Sequence, residues 1–195
     1  IDNQNIHCLV TGANGFVGRA LCDTLMQRGH KVRGAVRYSD ESRNSKLPYV
    51  AVGEINSQTD WTEAVANIDV VIHLAARVHV MHETSKDPLG DFRNMNVFAT
   101  EQLARAAAGS GVKRLVYVSS IKVNGEKTQY DQRFNELDAP SPQGHYAVSK
   151  WEAEQALLRV ASETGLEIVI VRPPLIYGRG VKGNFAQMLK ILALG

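Results

Sequence analysis

Tyr146 and Lys150 stand four residues apart in the run Tyr146-Ala147-Val148-Ser149-Lys150. That spacing is one turn of a helix, so both side chains leave the same face. A phenol beside an ammonium is a proton-transfer device, because the positive charge favours the phenolate and lowers a tyrosine pKa that begins near ~10. The pair alone is also a common arrangement on solvent-facing helices. A glycine-rich turn near the start of the chain, Thr11-Gly12-Ala13-Asn14-Gly15-Phe16-Val17-Gly18, sets it apart. Gly12 permits a tight turn, Gly15 lets backbone approach a pyrophosphate, and Gly18 allows a helix to pack closely on a strand. Free N–H groups at the start of the following helix bind the anion, and Asn14, Phe16 and Val17 belong to the same cofactor-binding loop. The spacing is G-x-x-G-x-x-G rather than G-x-G-x-x-G. The bland alternative is a glycine-rich turn without a ligand, which the strand before it and the helix after it disfavour.

Arg37 bears on the choice of cofactor. It ends a predicted strand over residues 31–37, where a ribose-binding acid is expected, and no Asp or Glu stands between Lys31 and Ser39. A guanidinium there makes charge-assisted hydrogen bonds to a 2′-phosphate, so NADP is favoured over NAD. Arg33, Ser39, Arg43 and Lys46 are candidate helpers. A merely solvated arginine is the alternative. A third candidate group beside Tyr146 and Lys150, Ser119-Ser120, follows a predicted strand over residues 115–118. Strand carboxyl ends form the ligand crevice of a parallel sheet, so Ser120, Tyr146 and Lys150 can converge there. A helix-capping serine is the competing reading of Ser120.

Those residues must be carried by an alternating series of elements. Strands are predicted over 6–11, 31–37, 49–52, 70–75, 115–119 and 168–172, and helices over 15–28, 59–67, 91–108, 145–164 and 185–194. Continuous apolar strands separated by helices imply a parallel sheet covered on both faces. The right-handed crossover rule then gives an α/β, doubly wound parallel sheet of Rossmann type. Residues 1–175 read as the dinucleotide-binding domain and 176–195 as the start of a substrate-binding region. The polar stretch 124–144, with two prolines, reads as the most mobile segment.

Composition is that of an ordinary globular protein, 44% hydrophobic and 22% charged with a net charge of +2. The basic residues are scattered, and the stretch from Lys122 to Lys127 is too short for a nucleic-acid surface. No apolar run reaches the roughly 18 residues of a membrane span, and no secretory signal is visible. Cys8 and Cys22 fall in a predicted strand and helix, and read as buried free thiols suited to a reducing cytoplasm. His79, His82 and Glu83 resemble a metal cluster, but no third ligand follows at a suitable spacing, so no metal is expected. His73 reads as a strand-end residue near the cofactor, and Trp61 and Trp151 as packing residues. The chain starts at Ile1 and stops at Gly195 after an apolar stretch, which reads as part of a longer protein.

The sequence resembles the extended short-chain dehydrogenase/reductase family, in particular its nucleotide-sugar epimerases, dehydratases and ketoreductases. The resemblance rests on TGANGFVG from Thr11, HLAA from His73, NVFAT from Asn96, VSSIKVNG from Val118, YAVSK from Tyr146 and RPPLIYG from Arg172. It implies Ser120 as the catalytic hydroxyl with Ser119 beside it, and Tyr146 as acid/base on a sugar hydroxyl or ketone. It implies Lys150 on the nicotinamide ribose, Ala75 and Ala76 along the adenosine, Pro173 near the nicotinamide, and Asn184 on the nucleotide-sugar diphosphate. Two departures weaken assignment to the commonest UDP-glucose 4-epimerases. Gly53-Glu54 stands where the family often has Gly-Asp, and Asn124 where many epimerases have Tyr. Lys182-Gly183-Asn184-Phe185 is more similar to bacterial surface-polysaccharide enzymes acting on UDP-N-acetylhexosamines or their 4-keto forms.

The resemblance therefore implies an NAD(P)-dependent 4-epimerase or 4-ketoreductase of nucleotide sugars, cytoplasmic and without membrane or nucleic-acid partners. Helices 91–108 and 145–164 commonly pair between subunits in that family, so a homodimer is one expectation among open oligomeric states, and the resemblance implies a smaller C-terminal substrate domain lying mostly beyond this sequence. Two other readings stay open. The stretch Val32-Arg33-Gly34-Ala35-Val36-Arg37 resembles flavonol-type reductases, which suggests a small non-sugar ketone. A non-enzymatic dinucleotide-binding sensor has the same fold but no need of Ser120, Tyr146 and Lys150.

Overall fold

The computed structural model describes residues 5–38, 47–78, 85–178, 180, 181, 188 and 192. Six strands, β1 (His7–Thr11), β2 (Lys31–Val36), β3 (Tyr49–Ala51), β4 (Val70–His73), β5 (Arg114–Val118) and β6 (Glu167–Val171), form one sheet. Their order is β3-β2-β1-β4-β5-β6 and every pairing is parallel. The order reverses between β1 and β4, and at this switch point the strand carboxyl ends open into a crevice. Among the described residues the strands are accompanied by the α-helices α1 (Phe16–Gln27), α2 (Thr62–Val65), α3 (Pro88–Arg93), α4 (Ala99–Gly109) and α5 (Gly144–Thr164).

Alternation along the strands decides which residue goes to which face. Leu9, Val71, Leu115 and Tyr117 point one way and pack with Leu103 and Ala107 of α4 and Ala153, Leu157 and Val160 of α5. Val10 and Val32 point the other way, against Ala13, Leu47 and Cys22 of α1. Both cysteines are buried and free, as expected. Their thiols are pushed up to about 11 by burial first, with nearby carboxylates adding to it.

Several boundaries differ from the expectation, each for a local reason. The strand predicted over 70–75 stops at His73, because the amides of Leu74 and Ala75 both donate to the Thr11 hydroxyl (3.1 Å) instead of continuing the ladder. The helix predicted over 91–108 begins earlier and is not uniform. Asp87 caps α3 by accepting from the Gly90 amide (2.9 Å), with Pro88 in the first turn, a start signal legible as Asp-Pro in the sequence. A π-helical segment, Asn94–Phe98, then joins α3 to α4. The helix predicted over 59–67 shrinks to α2, since Asn67 adopts φ 58°. Arg33 closes its carboxyl end by donating to the carbonyls of Glu63, Ala64 and Ala66 at 2.9–3.0 Å. That engagement removes Arg33 from the helpers expected around a 2′-phosphate.

Helix α5 is the longest, at 21 residues, and Gly165 stops it in the left-handed conformation at φ 78°. The stretch 124–144 is tethered where Asn124 donates to the Asn135 carbonyl (3.0 Å) and where Asp138 binds the Asn135 amide (2.8 Å). No helix among the described residues is long and apolar enough to cross a membrane. Residues 39–46, 79–84 and 182–187 lie outside the described residues, and with them Ser39, Arg43, Lys46, the His79/His82/Glu83 cluster and Asn184. Most of the helix predicted over 185–194 lies outside them as well.

Candidate active site

The glycine turn joins β1 to α1 at the switch point. Gly12 has φ 66°, and a Cβ on it would stand 3.1 Å from the Ala75 amide nitrogen, so turn and β4 exit are in contact. The Gly15 amide donates to the Gly12 carbonyl (2.9 Å) and closes the turn. A Cβ on Gly18 would fall 2.1 Å from the Gly12 oxygen, so α1 can start this close only with glycine there. Gly15 caps α1 without any side-chain hydrogen bond to the first-turn amides. Helix N-termini of this kind suit a pyrophosphate. Gly15 and Phe16 are exposed, and Asn14 and Val17 half-buried, around that opening. The Asn14 carbonyl also accepts from Arg19 (2.8 Å).

Behind the turn, Thr11 and His73 lock β1 to β4. With its lone pairs taken by the Leu74 and Ala75 amides, the Thr11 hydroxyl donates to His73 Nδ1 (2.6 Å). This leaves the His73 Nε2–H to donate to the Thr100 hydroxyl (2.9 Å). Burial, then the nearby Lys150 charge, pulls His73 down to about 3, so the ring stays neutral. Its expected place at the strand end is confirmed, and its work there is to brace the crevice floor.

Ser120, Tyr146 and Lys150 meet at the end of β5. The β5–β6 ladder continues past the strands, with the Ser119 amide on Val171 (2.7 Å) and the Ile121 amide on Pro173 (3.0 Å). Pro173 is thereby set against the turn that carries Ser120. The Ser120 hydroxyl accepts from the Lys122 amide (3.2 Å) and caps the short 3-10 turn Ile121–Val123. The capping role and the candidate catalytic role thus coexist on one residue. Burial raises the Tyr146 phenol, and the nearby Ser120 hydroxyl, which favours the phenolate, only partly counters it. Lys150, one turn on, is 2% exposed. Its Nζ donates to the Val118 carbonyl (2.8 Å) and lies 4.0 Å from the centre of the Tyr117 ring. Burial pulls it down to about 7, partly countered by Glu154.

Two supporting groups, Asn96 and Glu154, were given no role by the sequence reading. Asn96, inside the π-helical segment, accepts from the Arg77 amide (2.8 Å) and donates to the Arg77 carbonyl (3.0 Å) and the Ser149 hydroxyl (2.9 Å). It ties the β4 exit, beside Ala75 and Ala76, to the helix bearing Tyr146. The NVFAT run marks it in sequence, without telling its role. Glu154, 1% exposed, holds Arg172 through two hydrogen bonds (2.6 and 3.0 Å), and Arg172 donates to Asn124 (3.1 Å). Trp151 lies under the Arg172 guanidinium at 5.8 Å and lines a groove of about 730 Å³ with Asn124, Phe134, Leu137 and Leu158. Arg37 is exposed at the end of β2, 3.9 Å from Glu54, which also accepts from Tyr38 (2.5 Å).

The NAD dependent epimerase/dehydratase family model matches residues 8–194. The chain belongs to this family. A UDP-glucose 4-epimerase of Vibrio cholerae is 41% identical over 188 residues, covering 96% of this chain and 57% of that protein. A 3-beta-hydroxysteroid dehydrogenase of Mycolicibacterium neoaurum is 35% identical over 201 residues, 96% of this chain and 52% of the relative. Among solved structures, a UDP-glucuronic acid 4-epimerase from Bacillus cereus in complex with NAD superposes with a TM-score of 0.81 at 26% identity. That match covers 96% of this chain and 62% of the other. The chain spans about half the length of the curated relatives it matches.

Proposed function

We propose that this chain is the cofactor-binding and catalytic part of an NAD(P)-dependent nucleotide-sugar enzyme, a 4-epimerase or 4-ketoreductase acting on a UDP-hexose or UDP-N-acetylhexosamine. The observation that carries it is that Ser120, Tyr146 and Lys150 come together at the carboxyl end of β5, with Lys150 Nζ on the Val118 carbonyl, in a sheet whose β1 ends in the glycine turn. The turn suits a dinucleotide, since Cβ atoms on Gly12, Gly15 or Gly18 would crowd the backbone and the first-turn amides of α1 lack a side-chain cap. Ala75, whose backbone lies against Gly12, and Pro173, whose carbonyl accepts from Ile121 beside Ser120, take the cofactor together with Ala76 in this reading. A nicotinamide bound there supplies the hydride acceptor and donor.

The residues of this chain handle the proton and the geometry. Tyr146 takes the proton of a sugar hydroxyl as its carbon is oxidised, or returns it to a ketone. Ser120 donates to the reacting oxygen and fixes its position. Lys150 presents its ammonium toward the ribose side and favours the phenolate once the crevice is filled. Arg37 gives NADP the preference over NAD, because its pair with Glu54 is long and exposed and yields readily to a 2′-phosphate. Asn184 takes the sugar diphosphate. Residues 1–175 form the cofactor domain, 176–195 begin the substrate region, and α4 with α5 form the face of a homodimer.

A second reading, reduction of a small non-sugar ketone, draws on the 35% identity to the steroid dehydrogenase. Both readings are tested by incubating the full-length protein with UDP-sugars, UDP-4-keto sugars and a steroid ketone, with and without NADPH. Stoichiometric NADPH consumption identifies a reductase, and turnover without net consumption an epimerase. Turnover of the steroid alone overturns the sugar assignment. Tyr146→Phe should lower kcat by a hundredfold or more while cofactor fluorescence titrations stay unchanged, and wild-type turnover by that variant refutes the role of Tyr146.

A further inference from the structure

We propose that Tyr117 is the positioning residue of Lys150, holding the lysine ammonium against the Val118 carbonyl with the face of its ring. The inference rests on the reading of Tyr146 and Lys150 as the proton-handling pair. Tyr117 is the fourth residue of β5 and is 0% exposed. Its ring centre lies 4.0 Å from Lys150 Nζ, well inside the range of a cation–π contact. Among the described residues the ammonium donates one hydrogen bond, to the Val118 carbonyl at 2.8 Å. With water excluded, an attraction of this kind is at its strongest.

The ring itself is held rather than free. His73 stacks on it at 5.7 Å and an interplanar angle of 25°. The Thr11 and Thr100 hydroxyls fix His73 in its neutral form, so no second cation competes for the π face. The charged and titratable groups around Lys150 can be named element by element. β5 offers the Tyr117 ring, β4 the neutral His73, α5 itself Tyr146 and Glu154, and the segment just after β6 Arg172, which Glu154 already binds. The Tyr117 hydroxyl is buried and has no hydrogen-bond partner among the described residues. Packing alone would be served better by phenylalanine, and the proposal assigns the work to the ring, not to the hydroxyl.

Two substitutions separate ring from hydroxyl in the full-length protein. Lys150 is followed by NMR of lysine labelled at the ε position, its signal assigned by loss in Lys150→Arg. In Tyr117→Leu the Lys150 titration midpoint should fall by about one pH unit, and in Tyr117→Phe it should stay. Tyr117→Met serves as the second non-aromatic variant where Leu unfolds the chain. The acid limb of kcat should move to higher pH in the non-aromatic variants, because a neutral lysine no longer favours the Tyr146 phenolate, while KM for the cofactor changes little. An unmoved midpoint in a folded Leu or Met variant overturns the proposal, as does an equal fall in Tyr117→Phe. A midpoint that falls as expected in a protein that turns over no nucleotide sugar upholds the positioning role and refutes the catalytic reading instead.

Discussion

Lys150 stands at a cost that the rest of the site must offset. An ammonium that is 2% exposed has lost its water, and one carbonyl and one aromatic face replace it only in part. Folding therefore lowers its pKa from the ordinary 10.5 to about 7. Between those values the unfolded chain binds more protons than the folded one, so this residue's contribution improves as pH rises through that window and is least favourable below it. Lys150→Met should accordingly be more stable than the parent at pH 6, by on the order of 2 kcal/mol. The gain should shrink toward zero by pH 10. Urea denaturation at the two pH values measures it, and a constant difference would show that burial of the charge is not its cause.

At the scale of elements, the joint between β1 and α1 is the least forgiving part of the molecule. An Ala at position 18 would improve helix propensity by up to about 1 kcal/mol, yet its Cβ would meet the Gly12 carbonyl at 2.1 Å. The atoms it would meet, in Gly12 and Ala13, are backbone, so the helix or the turn must shift, at a cost of roughly 1–3 kcal/mol. Gly18→Ala should lose stability despite its helix preference and weaken NAD(P)H binding tenfold or more, read by nucleotide fluorescence and a melting curve. The π-helical segment is the other joint of this kind. Its wider turn brings Asn96 inward between Arg77 and Ser149, and a regular helix through 91–108 would face a different side chain to that gap.

For the whole molecule, the parallel sheet with its crevice at the switch point makes ligand and fold interdependent. A cofactor that binds only the folded state stabilises it by about 2.7 kcal/mol at a hundredfold excess over Kd, which is several degrees of melting temperature. In the full-length protein NADP should raise the melting point more than NAD at equal concentration, and Arg37→Ala should remove that difference while sparing the NAD effect. A larger shift with NAD in the parent would reverse the assignment made from Arg37. At the far side of the sheet β6 is an edge strand, with Val169 and Val171 40% and 43% exposed. A parallel sheet is ordinarily covered on both faces.

The alternation of apolar strands with helices was enough to determine the parallel Rossmann sheet, since that pattern leaves few ways to bury both faces. Sequence alone also marked the glycine turn, Ser120, Tyr146 and Lys150, because fixed spacing on one turn or one helix is a local property. Tertiary structure decided what no local pattern encodes. It spent Arg33 on capping α2, ended β4 early on the Thr11 hydroxyl, and set Glu154 of α5 on Arg172, just past the end of β6. It also set Tyr117, an ordinary core residue in the sequence, against the Lys150 ammonium, because the faces of β5 and α5 come together only after the sheet has formed.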